Sequence, residues 1–460
     1  MLPLLLSVSL MGSAAASASA QRPRSVITRG DGYLHATVNA ILGVPALNKR
    51  AAAVEAEVVG QKGGTRYGID IGVGTPAQPL TLIIDTGSPD MWVNPRCDTT
   101  YQPSECLSYP MFDYTRSSTL QVSGFADVLR YGSGNVTIDY VTDTVTIGSA
   151  KITNQIFGIG FDSFNIPLGI LGLSPALASA TTSPYPFVLD TLVDQGIIKS
   201  RAFSLDLRSI TEPAGAVVFG GIDKSKFSGS LTRVPMLDPS VTPGGTNRYW
   251  ITLTGIGLTF PDGTADRSGA IEVPVFPDSG GTLSQLPTPI FQAFEVFPTA
   301  QFDPKSGFWI IDCRVLDQPG TVDFYFGSKR IAVPYRDFAW HLDDGSCVLG
   351  VQPTDDEPVL GDSFLRAAYV VHDQDNRALH LAQAASCRAS QNIITIGSGA
   401  NAVPSGIVGD CPEVEAPTAT AGGIDATATR KPTNIFSGNS PDVTGIGAGP
   451  GPAGGRASTT

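Results

Sequence analysis

The stretch LTLIIDTGSPDMWV, residues 80–93, sets a carboxylate at the end of an apolar run. Leu80, Leu82, Ile83 and Ile84 read as a buried strand, and Asp85-Thr86-Gly87-Ser88 follows at once. Burying an unpaired carboxylate costs several kcal/mol unless hydrogen bonds or a shared proton relieve it. A second copy of the pattern supplies a reason for its position. VFPDSGGTLSQLP, residues 275–287, has Asp278-Ser279-Gly280 where the first copy has Asp85-Thr86-Gly87. Each copy is followed by two apolar residues and a glycine. These are Ile170-Leu171-Gly172, 87 residues from Asp85 to the glycine, and Val359-Leu360-Gly361, 83 residues from Asp278. Two landmarks recurring at nearly one separation predict two homologous lobes.

Lobes that face each other would bring Asp85 and Asp278 together. Two carboxylates in contact cannot both ionise cheaply, so they share one proton. One then serves as base towards a water while the other protonates a carbonyl oxygen. Such chemistry requires neither a metal nor a covalent nucleophile. Gly87 and Gly280 let backbone N–H groups approach the carboxylates, and the Thr86 and Ser279 hydroxyls can brace the two loops.

The rest of the 460-residue chain fits this frame. Net charge is −12, which argues against nucleic acid as a partner. Charged residues are only 16%, while 51 Gly and 35 Pro favour short strands joined by turns, as in 144–160, 248–258 and 321–334. A helix is expected within 186–200, ending near Gly196. Gly72-Val73-Gly74-Thr75-Pro76-Ala77 imitates a dinucleotide loop, but a strand follows it, so it reads as a turn. Residues 1–20 resemble a signal peptide ending Ala18-Ser19-Ala20, and no apolar run is long enough for a membrane span. Residues 21–50 carry Arg22, Arg24, Arg29, Lys49 and Arg50 against Asp31 alone and end in a dibasic site. They read as a propeptide held partly by charge against the acidic body.

The expected division is therefore signal peptide 1–20, propeptide 21–50, N-terminal lobe 51–208, C-terminal lobe 209–388, and a disordered Gly/Ala/Thr/Pro-rich tail 389–460. Six cysteines behind a signal peptide favour disulfides but allow 15 pairings. Local pairing favours Cys97 with Cys106 and Cys313 with Cys347; by elimination Cys387 would pair with Cys411, a pairing the sequence leaves open. The histidines at 35, 341, 372 and 380 lie far apart, which argues against a zinc site. No cofactor is expected. Asn135-Val136-Thr137 is a glycosylation sequon.

Over about residues 65–385 the chain resembles the pepsin-type aspartic proteases, in particular secreted fungal members of the candidapepsin and yapsin kind. The resemblance rests on Asp85-Thr86-Gly87-Ser88 with Trp92 seven residues after the Asp, on YGSGN (131–135), and on AFSLDL (202–207), GAVVFGGID (215–223) and VLGDSFLRAAYVVHDQDN (359–376). It implies a bilobal all-β fold, catalytic Asp85 and Asp278, and a peptide substrate extended in the cleft between the lobes. It also implies a flap over that substrate, with Tyr131, Gly132 and Ser133 at its tip and Tyr131 bonded to Trp92. A secreted monomeric acid endopeptidase, free or held at the cell wall, is the expected protein. Two departures stand in the second motif. The family carries Ser or Thr three positions after each catalytic Asp, which Ser88 matches and Gly281 does not. Pro277, with Pro274 nearby, removes N–H donors from the strand feeding Asp278, so the second loop is expected to sit differently. These departures support the rival reading, a non-catalytic secreted binding or inhibitor protein on the same fold.

Overall fold

Alternation decides how the first lobe begins. In the computed structural model, which describes residues 27–41 and 66–413 except 95, 99, 101–102, 133, 149, 178–184, 213, 295–296, 343–344 and 388, the chain is mostly β. Strands β1 (Ile27–Gly30) and β2 (Tyr33–Ile41) form a hairpin. Strands β3 (Arg66–Val73) and β4 (Gln78–Asp85) are antiparallel and joined by the turn 74–77. Tyr67, Ile69, Ile71 and Val73 on β3, and Leu80, Leu82 and Ile84 on β4, are buried in the core. Period-two burial of this kind is what an apolar-in strand pattern specifies. Next come β5 (Met91–Val93), the long hairpin β6 (Gln121–Tyr131) and β7 (Gly134–Ile147), β8 (Ala150–Phe164) and β9 (Ile170–Gly172). Strand β9 runs parallel to β4, setting Ile84 opposite Leu171 and Asp85 opposite Gly172.

The second lobe repeats this device. Val273–Pro277 runs parallel to Val359–Leu360, with Phe276 opposite Val359 and Pro277 opposite Leu360. The recurring pair of landmarks in the sequence is thus one structural unit built twice: a strand ending in Asp, paired with a strand ending in Gly. Strands β10 (Ala202–Asp206) and β11 (Gly215–Phe219) belong to the sheet that joins the two lobes. The expected helix is Val188–Asp194, and Gly196 at φ +67 follows it in the left-handed region that suits a helix C-terminus.

Two expected segments are held differently from the expectation. The segment expected to be a propeptide held by charge contributes a central strand: β2 lies between β11 and β3, and Leu34, Ala36 and Val38 are fully buried. Burying a Leu or Val side chain contributes about 1.5–3 kcal/mol, more than an exposed charge pair does. Residues 389–413, expected in the disordered tail, are folded. Ile393–Thr395 pairs with Gly221–Asp223, and Ile396, Ala402, Val403 and Ile407 pack against Ile222, Phe227 and Tyr369. The Cys387–Cys411 disulfide fastens this segment; residues 1–26, 42–65 with the dibasic site, and 414–460 lie outside the described residues. The other disulfides are Cys97–Cys106 and Cys313–Cys347. Among the described residues no helix is long and apolar enough to cross a membrane, and no group of His, Cys, Asp and Glu is arranged to hold a metal ion.

Candidate active site

Asp85 and Asp278 meet where the lobes face each other, close enough for one carboxyl to hydrogen-bond the other. Asp85 is 4% exposed, and Asp278 is half-buried. The Gly87 N–H donates to Asp85 Oδ1 at 2.8 Å, and the Ser88 hydroxyl donates to Oδ2 at 2.5 Å. In the second loop the Gly280 N–H donates to Asp278 Oδ1 at 2.8 Å. A Cβ on Gly87 would fall 2.5 Å from Asp278 Oδ2, and one on Gly280 would fall 2.8 Å from Asp85 Oδ1. Each glycine therefore makes room for the carboxylate of the opposite lobe.

The braces cross between lobes. The Thr86 hydroxyl donates to the Pro277 carbonyl at 3.0 Å and accepts the Ser279 N–H at 3.0 Å. The Ser279 hydroxyl donates to the Ile84 carbonyl at 2.8 Å and accepts the Thr86 N–H at 3.2 Å. All four groups are buried, so each bond matters more than its exposed equivalent would.

The expected displacement of the second loop is not observed. The parallel ladder takes its donors from Phe276, whose N–H reaches the Pro358 carbonyl at 3.4 Å, and from Asp278, whose N–H reaches Leu360 at 2.9 Å. Pro277 sits between them, where this pairing requires no donor, and its carbonyl still accepts from Thr86. Gly281 does leave Asp278 without the hydroxyl that Ser88 gives Asp85.

Burial, first, and the Asp85 charge, second, push the Asp278 carboxyl well above the ordinary Asp range; the Gly280 N–H and Arg248 oppose that rise. Tyr131, at the end of β6, accepts the Trp92 indole N–H at 2.9 Å and contacts Ser88. Burial and the charges of Asp85 and Asp90 raise its phenol, keeping it neutral. Gly132 lines the cleft beside it, Ser133 lies outside the described residues, and Asn135 is exposed on the flap strand β7.

Two further groups lie outside the expected site residues. Asp90 lines the cleft and is held by the Tyr185 and Tyr140 hydroxyls, with its carboxyl raised by burial. Arg248 comes from the second lobe and donates to the Gly87 carbonyl. The cleft itself is about 1470 Å³, beyond the roughly 300–1,000 Å³ of sites for small molecules and ample for an extended chain.

Comparison with known proteins agrees with this geometry. The fold is similar to the crystal structure of an aspartic proteinase from Irpex lacteus, at a TM-score of 0.58 and 24% identity, covering 71% of this chain and 96% of that one. A probable aspartic-type endopeptidase OPSB of Arthroderma benhamiae is 34% identical over 74% of this chain and 72% of its own. Aspartic proteinase yapsin-3 of Saccharomyces cerevisiae is 31% identical over 74% of this chain and 70% of its own. Residues 66–384, more than half of the sequence, match the eukaryotic aspartyl protease family as a whole. Two Asp-Thr/Ser-Gly loops facing each other and sequence relatives across most of the chain lead to one conclusion: the chain belongs to the eukaryotic aspartyl protease family.

Proposed function

We propose that this aspartic-type endopeptidase is secreted, is made as a zymogen, and hydrolyses peptide bonds in acid through the Asp85–Asp278 pair. The observation that carries the reading is the asymmetry of the pair. Asp278 is held protonated by burial and by its neighbour's charge, which leaves Asp85 as the base. A water between them loses a proton to Asp85 as its oxygen attacks the scissile carbonyl, and Asp278 gives its proton to the carbonyl oxygen. Asp85 then gives its proton to the amide nitrogen while Asp278 takes one back from a diol hydroxyl; the C–N bond breaks, an acid and an amine leave, and the pair returns to its starting state. Tyr131, Gly132 and Ser133 would close over the peptide, while Thr86, Ser279, Ser88 and Trp92 support the loops. The paired carboxyls and the Pro277 geometry favour catalysis over a non-catalytic binding or inhibitor protein on the same fold.

Secretion rests on residues 1–20, and the exposed Asn135 would carry a glycan there. The Lys49-Arg50 site follows β2, so processing would cut between two strands of the central sheet. Digestion of a peptide library at about pH 3–6, with and without a statine-type transition-state inhibitor, tests the reading. Inhibitor-sensitive cleavage by protein whose N-terminus reads at or near Ala51 is expected. Folded, processed protein that cleaves nothing, or whose cleavage ignores the inhibitor, would overturn it.

A further inference from the structure

The two lobes repeat a second motif ahead of their catalytic strands. Arg66-Tyr67-Gly68-Ile69 recurs as Arg248-Tyr249-Trp250-Ile251. Both tyrosines reach across the junction: Tyr67 accepts from Arg366 Nε at 3.2 Å, and Tyr249 donates to the Leu173 carbonyl at 2.6 Å. The arginines differ. Arg66 is used within its own lobe, 2.5 Å from Glu105 in a buried ion pair. Arg248 crosses to the other lobe and donates to the carbonyl of Gly87, in the first catalytic loop.

Its side chain is fixed along its length. The guanidinium lies 5.1 Å from the centroid of the Phe276 ring, two residues before Asp278. Its Nε is 3.2 Å from Glu357 Oε2. Glu357 also accepts the Thr246 hydroxyl at 3.1 Å, and Thr246 accepts the Trp250 indole N–H at 3.0 Å. A guanidinium that lies over a ring, donates to the Gly87 carbonyl and pairs by charge with Glu357 is a use that Lys does not reproduce.

We propose that Arg248 is a positioning residue of the dyad: it pins the first catalytic loop from the second lobe, and its charge stands in for the hydroxyl that position 281 lacks. The proposal rests on the endopeptidase reading above. Pinning acts through the Gly87–Ser88 peptide, because the Gly87 N–H and the Ser88 hydroxyl are the two donors to Asp85. The charge acts on Asp278. Among the described residues, the charged or titratable groups acting on Asp278 are Asp85 across the pair, Asp362 behind the loop, and the cation Arg248. Glu357 faces Arg248, and Tyr131 faces Asp85 and Asp90. Burial and Asp85 favour neutral Asp278, and Arg248 favours its carboxylate.

The test is kcat/KM against pH for wild type, Arg248→Gln, Arg248→Lys and Glu357→Gln, with thermal melts and a carboxyl ¹³C titration of aspartate-labelled protein. Losing the cation disfavours the anionic states of the pair, so Arg248→Gln moves both limbs of the pH profile upward by about 0.5–1 unit and lowers kcat about tenfold. Arg248→Lys keeps the charge and returns the profile to that of wild type, while kcat stays low because the guanidinium bond to the Gly87 carbonyl is gone. Glu357→Gln, which leaves the cation in place and removes its counter-charge, moves the profile downward and serves if Arg248→Gln does not fold. Superimposed profiles overturn the proposal. So does a change in KM alone, which would make Arg248 a substrate contact, and so does a Lys variant that behaves like the Gln variant. The ¹³C titration reads the pair without turnover. Wild-type protein that cleaves no peptide thus refutes the endopeptidase reading, whereas an unmoved ¹³C titration refutes the role of Arg248.

Discussion

The two catalytic loops share a backbone and differ in what surrounds it. Each carboxylate accepts the N–H of the glycine two residues on, at 2.8 Å, and each hydroxyl of the Thr86–Ser279 pair bonds the opposite strand. Asp85 then accepts a hydroxyl from Ser88, whereas Asp278 has Gly281 in that place and Arg248 within electrostatic reach. A duplicated scaffold has been given one hydroxyl-supported carboxyl and one charge-supported carboxyl. Proton sharing itself needs only two carboxyls in contact; a difference of this kind decides which of them holds the proton.

The harshest way to break the comparison is to remove one carboxylate. Asp85→Asn and Asp278→Asn should each lower kcat by about 10²–10⁴-fold, the range of general acid–base catalysis. Stability should separate them. The folded protein holds the Asp278 proton more tightly than the unfolded chain does, so the stability linked to it is fully present below the ordinary Asp value. That stability is lost as pH rises from there through the raised value. Asp278→Asn removes this loss. Its melting temperature should exceed that of wild type near about pH 7 and approach it near about pH 3. A wild-type melt that gains on the variant as pH rises would place the retained proton elsewhere.

A milder test leaves the carboxylates and cuts the braces. Thr86→Val strands the Pro277 carbonyl and the Ser279 N–H; Ser279→Ala strands the Ile84 carbonyl and the Thr86 N–H. Each buried group left unpaired costs about 1–3 kcal/mol. Because the bonding is reciprocal, the two variants should lose similar stability in urea titrations. A gap well beyond about 1 kcal/mol would show that one loop depends on the other.

What could be read from the sequence follows from what repeats locally. The dyad, its glycines and its braces are marked by a tripeptide and a distant landmark that recur together, and Tyr131 by its position after Trp92. The folded segment 389–413 is harder to see, because its apolar residues fall in short groups, Ile393-Ile394-Thr395-Ile396, Ala402-Val403 and Ile407, separated by glycines, serines and asparagines, and they pack against strands distant in sequence. Strand β2 does alternate, at Leu34, Ala36 and Val38, but charge counting over 21–50 obscures a period-two signal. The expectation drawn from Pro277 fails for a simpler reason: a proline harms a strand only where its N–H would have donated. Arg248 is marked only by the repeat of Arg66-Tyr67, and nothing local tells its role, since its partner Gly87 lies 161 residues away.

The gentlest change adds the missing hydroxyl. A Cβ at Gly281 would lie 3.8 Å from the Asp278 carbonyl and 4.0 Å from its Oδ2, ordinary contact distances, and the backbone there is outside the left-handed region. Gly281→Thr therefore fits without strain and can direct its hydroxyl at the carboxylate. A bond to the charged form favours that form, so both apparent pKa values of the pair should fall. One such bond is worth about 0.5–1.5 kcal/mol, or up to about one pH unit. The limbs of the kcat/KM profile should thus move down in pH, opposite to the shift from Arg248→Gln. In the double variant the two shifts should largely cancel, because hydroxyl and cation support the same carboxylate. Equal melts with superimposed profiles for wild type and Gly281→Thr would mean that the second loop lacks nothing at 281. The difference between the loops would then lie in burial alone.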